Sequence, residues 1–152
     1  MKQSLLLKIS WSIPIAQTGL IFYYWNRLPE QIPTHFNAKG IPDAYSSASS
    51  IWFFPIITLG LILLFAWFNK HMLKINVNKL GSRNNEELAI TRSMMATLLL
   101  FIVVLFFGIL YGSILISLES IKSLSPWLIP IIVGGIVVIL FWYFAHLFRL
   151  KK

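Results

Sequence analysis

The stretch Ile51–Phe68, IWFFPIITLGLILLFAWF, runs for eighteen residues without a charged side chain. As a helix it would be about 27 Å long, close to the ~30 Å thickness of a bilayer's hydrocarbon core. Its apolar residues are continuous, with no polar residue every third or fourth position to form a wet face, so lipid is the solvent it suits. Three more blocks of this kind lie on either side, at about 5–25, 94–118 and 127–148. The chain is 57% hydrophobic and 12% charged, too little polar surface for a soluble domain of 152 residues. We therefore expect an all-α fold, a polytopic bundle of four transmembrane helices forming one membrane domain over 1–152. Tyr23-Tyr24-Trp25 ends the first block where a leader peptide would carry small residues, so that block reads as a retained helix.

Orientation follows from lysine and arginine. Lys2, Lys8, Lys70, Lys74, Lys79, Arg83, Arg92, Arg149, Lys151 and Lys152 would share one side, against Arg27, Lys39 and Lys122 on the other. Ten against three predicts both termini and the basic 70–92 loop in the cytoplasm, with 26–50 outside. The net charge of +8 is spent at the ends of the apolar blocks, where it meets lipid headgroups, so nucleic acid is not an expected partner. With no cysteine there is neither a disulfide framework nor a thiolate metal site.

Local signals add detail. Trp52, Trp67, Trp127, Trp142 and Tyr143 read as interfacial anchors, and His71 and His146 as interfacial residues. Pro14, well inside the first span, predicts a kink. Asn84-Asn85-Glu86-Glu87 resembles a helix start, so the third helix would begin before the membrane. Gly108 and Gly112 form a GxxxG and Gly134-Gly135 a second small patch; both suit close helix packing within the chain, with a homo-oligomer through Gly108/Gly112 as the alternative. Glu119 and Lys122 would form an exposed pair. Gln17 and Tyr111 are the main polar groups at mid-membrane depth, and the lack of an ionisable group there argues against an ion-coupled transporter.

The connection Asn26–Ser50 carries the information: NRLPEQIPTHFNAKGIPDAYSSASS. Twenty-five residues is long for a bare link. Pro29, Pro33 and Pro42 stiffen it, Gly40 permits a left-handed turn, and Ile32, Phe36, Ile41 and Tyr45 can dock onto the bundle. Ser49 or Ser50 would cap the next helix. His35, Phe36, Asn37, Gly40, Pro42 and Asp43 are the candidate ligand-binding residues. His35, Asp43 and Glu30, with Glu119 from the other outer connection, are weak candidates for a metal, since imidazole and carboxylates suit zinc but no ligand spacing is present. No cofactor is expected. The same side chains also serve structure: Asn37 and Asp43 can close side-chain–backbone turns, and His35 can bond a carbonyl.

The pattern Leu28-Pro29, Ile32-Pro33, His35-Phe36-Asn37, Gly40, Pro42-Asp43, with Pro55 in the next span, resembles the domain of unknown function 1648 family, whose best-known members are the bacterial Sdp toxin-immunity proteins. The resemblance covers about the first 70 residues. It departs at Ser46-Ser47, where that family usually has a Ser-Lys pair. It implies a multi-pass protein of the bacterial cytoplasmic membrane, not an enzyme, whose outer loop engages an extracellular ligand such as an antimicrobial peptide. It also implies that the 70–92 loop could hold a cytoplasmic regulator. Two other classes stay open. One is an outer-face enzyme using His35 with Asp43 or Glu30 in acid–base chemistry. The other is an accessory subunit of a transporter.

Overall fold

A computed structural model describes residues 3–77 and 82–150. Helix α1 (Gln3–Tyr24) leads through a 3-10 turn (Trp25–Arg27) into two strands, β1 (Gln31–Phe36) and β2 (Pro42–Ser47). A second 3-10 turn (Ala48–Trp52) feeds α2 (Phe53–Val77), followed by α3 (Ser82–Ser117) and α4 (Leu128–Leu150). Among the described residues four helices are long and apolar enough to cross a bilayer. Pro55 and Pro130 fall in the first turns of α2 and α4, where no intrahelical N–H is needed, and Pro14 lies inside α1, which continues as a helix on both sides of it.

Helix α3 is the central element. It packs against α1, α2 and α4, whereas α4 rests chiefly on α3. The interior consists of two apolar clusters. One joins Leu6, Ile62, Phe65, Ala96, Leu99 and Val103, and the other joins Ile21, Ile32, Ile51, Leu110 and Ile114. Ile32 belongs to β1, so the second cluster seals the hairpin onto the ends of α1, α2 and α3.

Several expectations need correcting. The chain is not purely helical, because the 26–50 connection folds into an antiparallel hairpin, docked on the bundle through the buried Ile32 and Pro33 of β1 while Gln31, Thr34 and His35 stay exposed. The 70–92 segment is mostly not a loop: α2 continues to Val77 and α3 starts at Ser82, leaving 78–81, with Lys79, outside the described residues. At 36 residues α3 is about 54 Å long, far more than a hydrocarbon core spans, so its first turns project beyond it. That helix starts earlier than the Asn84–Glu87 signal suggested, leaving Glu86 and Glu87 past the first turn. Ser49 and Ser50 do not cap α2 but lie within the 3-10 turn, where Ser50 Oγ donates to Ser47 O at 2.7 Å. Among the described residues Glu119 and Lys122 form no ion pair within 4.0 Å.

Glu119 has a different role. With φ 56° it is the left-handed residue that ends α3, a place usually held by glycine. Its N–H donates to Ile116 O and that of Ser120 to Leu115 O, both at 2.9 Å, the two bonds of a Schellman motif. The glycines also sort differently than expected. A Cβ on Gly108 or Gly134 would meet open space, and one on Gly112 the tip of Leu124. Gly108/Gly112 is therefore no intramolecular helix–helix seam; the close glycine approach is Gly135 against the Phe101 ring, between α4 and α3.

Candidate functional site: a hairpin roofing an apolar cleft

The hairpin is irregular in a way that arranges its polar side chains. Pro33 pairs with Tyr45 but His35 with Ala44, and Phe36 then pairs with Pro42, so Thr34 and Asp43 are extra residues in two successive bulges. Bulges re-aim side chains. Here Asp43 turns onto the face of His35, and the imidazole Nδ1 lies 2.5 Å from Asp43 Oδ1, the imidazole donating because a carboxylate only accepts. The pair is open to its surroundings, with side-chain exposures of 70% and 42%. His35 thus bonds a carboxylate rather than the carbonyl expected for it, and Asp43 closes no local backbone turn. Glu30 and Glu119 do not join them: among the described residues no three His, Asp or Glu side chains gather as metal ligands.

Between the strands Asn37 and Gly40 build the tip. Asn37 Oδ1 accepts from the N–H groups of Lys39 and Ile41 at 2.9 and 3.2 Å, the turn anticipated for it. Its carbonyl accepts from Gly40 N–H at 2.9 Å. Gly40 has φ +76°, and a Cβ there would stand 2.5 Å from Leu124 O, so only glycine meets both demands. The reason for the close approach is a bond across to the α3–α4 connection, in which Leu124 N–H donates to Gly40 O at 2.9 Å. A second fastener is the buried Ser113 of α3, whose hydroxyl donates to Pro33 O at 2.7 Å. The hairpin and the α3–α4 connection therefore share one end of the bundle. Aromatics gather at that end as well: Phe22 and Trp25 pack on Trp52 with ring centroids 5.2 and 5.9 Å apart, and the Arg27 guanidinium lies over Tyr23 at 5.2 Å.

Beneath the hairpin is a cavity of about 510 Å³. Its floor is Phe106 and Ile109 of α3. Its walls are Phe53 and Ile57 on α2 and Leu128 and Ile129 on α4, which lie apart on either side of α3. The hairpin supplies the polar rim, including Thr34, His35, Asn37 and Ser46, with Ser125 opposite. Of the sequence candidates, His35, Phe36, Asn37 and Gly40 line this cavity, while Pro42 and Asp43 of β2 do not. The apolar lining was not legible in the sequence, because a phenylalanine facing a cleft and one facing lipid sit in the same kind of apolar run.

The arrangement is an amphipathic receptacle, apolar in depth and polar at the mouth. No curated protein and no solved structure matches the chain. Residues 13–59 match the model of a family described as Domain of unknown function (DUF1648), a stretch that runs from α1 through the whole hairpin into α2. Over these residues, the hairpin and the helix segments that flank it, the chain is similar to that family.

Proposed function

We propose that the chain is a membrane receptor of the immunity type, which captures an amphipathic peptide from outside the cell and so blunts its action on the bilayer. The observation behind this is the cleft between α2 and α4 under the hairpin. An apolar segment already dissolved in lipid could enter sideways against Phe106 and Ile109, while its polar groups meet His35, Asn37 and Ser46. Ligand sites of this kind are mostly apolar, with a few placed polar groups at the rim. The resemblance to the Sdp immunity proteins points the same way, toward a bacterial cytoplasmic membrane with both chain ends inside and the hairpin outside.

Two experiments test the reading. Cysteines at Thr34 and Lys79, in a chain with none of its own, should differ in intact cells: an impermeant label reaches Thr34→Cys and misses Lys79→Cys. Cells lacking the protein should become sensitive to some amphipathic peptide. A cleft-filling Ile57→Trp should fail to restore resistance, whereas Ile131→Trp, exposed on α4 and outside the cleft, should restore it. Unchanged sensitivity across a broad peptide panel sinks the proposal.

A second reading rests on the His35–Asp43 contact, because an imidazole oriented by a carboxylate is the arrangement of a general base. Under it His35→Ala would abolish activity while peptide binding to the cleft survives. Under the first reading His35→Ala weakens binding only modestly.

A further inference from the structure

At the end of the bundle opposite the hairpin, a cation is turned inward. Leu88, Arg92, Ala96, Leu99 and Val103 recur every three or four residues on α3, and all but Arg92 are buried hydrophobics. Arg92 therefore lies on the core-facing stripe. Its Nε and Nη2 are shut off from solvent and hydrogen-bond to nothing among the described residues. On α2 the matching stripe is Ile62, Phe65 and Asn69. Phe65 and Ala96 share one cluster, and α2 and α3 are antiparallel, so Asn69 and Arg92 occupy the next layer outward. Asn69 Oδ1 is likewise buried and unpartnered.

A guanidinium keeps its charge in any protein setting, and although Arg92 as a residue is only partly buried, N–H donors closed off from water without an acceptor are unfavourable. Among the described residues the one acid–base contact within 4.0 Å is His35 with Asp43, at the far end of the molecule, so no carboxylate of these residues answers Arg92. Nε and Nη2 form the side edge of the guanidinium, whose two N–H groups point the same way and match two oxygens of one oxyanion. The depth is also informative. Arg92 stands two residues before the apolar run that begins at Met94, at the lysine-rich end where phospholipid phosphates lie.

We propose that Arg92 and Asn69 form a phosphate site for one anionic phospholipid, with the headgroup oxyanion held by the Nε–Nη2 edge of Arg92 and a headgroup hydroxyl donating to Asn69 Oδ1. The lipid enters between α2 and α3, displacing what covers that edge, and completes the polar layer. This site is distinct from the peptide cleft and does not depend on it.

The test is lipid retention by the full chain, purified in detergent, loaded with phosphatidylglycerol or phosphatidylcholine, stripped, and weighed by native mass spectrometry. The wild type should keep one phosphatidylglycerol and little phosphatidylcholine. Arg92→Gln should lower that retention about tenfold and Asn69→Leu about threefold, as expected for losing a charged and a neutral hydrogen bond. Lys70→Gln, which removes an exposed neighbouring cation, should leave it unchanged. Millimolar inorganic phosphate should not displace the lipid; displacement would keep the oxyanion site and reassign its ligand to free phosphate. Retention by Arg92→Gln equal to the wild type overturns the proposal. If that variant does not fold, Arg92→Lys, which keeps the charge but lacks the fork, decides instead: together with Asn69→Leu it must lose lipid, and unaltered retention in both is fatal.

Discussion

The hairpin and α4 are two opposite ways of attaching a segment to the same central helix. The hairpin is held by directional contacts: Gly40 against the Leu124 backbone, the Ser113 hydroxyl on Pro33 O, and Ile32 sunk into a buried cluster. Helix α4 has no buried residue in its spanning window, although the window's mean hydropathy is 2.5. Helix α3, at 2.8, is one-third buried, and α1, at only 1.4, is 28% buried. Apolarity therefore does not report packing in this chain. With lipid as solvent an exposed valine loses nothing, so hydropathy marks what can dissolve in a membrane. Polar and small residues mark what is held in place.

That contrast can be broken experimentally. The largest effect should come from Gly40→Ala, which forces a left-handed conformation on a side chain that also collides with Leu124 O. We expect a loss on the order of 3 kcal/mol, combining backbone strain with a lost hydrogen bond. It should be seen as protease cleavage of the hairpin and a lower melting temperature in detergent. Next, Ile32→Ala should cost about 2–4 kcal/mol by opening a cavity in the sealed cluster. Amide exchange should rise across 31–47 while α4 is unaffected. For α4 the informative pair is adjacent. Gly135→Ala pushes a methyl into the Phe101 ring and should loosen the α3–α4 seam by about 1–2 kcal/mol, whereas Gly134→Ala faces open space and should be silent. Cross-linking between α3 and α4 would separate the two; equal effects would mean that α4 is not seated on Phe101 as described. The smallest effect is a gain. Glu119→Gly relieves the left-handed residue that ends α3 and should stabilise by about 1 kcal/mol, read as a higher melting temperature.

The helical part of the fold was legible because each span is an uninterrupted apolar run, and the helices fall within a few residues of those runs except where α2 and α3 extend past the bilayer. The hairpin was less so. Its prolines and glycine announced an ordered connection, yet Pro33 and Pro42 are poor strand formers. What makes strands of them is docking: Pro33 has no N–H to donate, and its carbonyl accepts from the Ser113 hydroxyl, eighty residues away. Asn37 was read correctly because its turn is local. His35 was not, because its partner depends on a bulge that shifts Asp43 by one place, and a shift of one residue moves a side chain to the other face of a strand.

Local chemistry, then, was enough to mark four segments that lipid can dissolve, the asymmetry of basic residues between their ends, and a turn built on Asn37 and Gly40. These follow from the composition of consecutive residues and need no knowledge of neighbours. Only the tertiary structure could decide that α3 is the hub, that α2 and α4 part to leave a cleft under the hairpin, and that one edge of the Arg92 guanidinium is covered. Those features depend on which face of each helix meets another. In runs that are apolar all round, the order of residues carries almost no signal about that face.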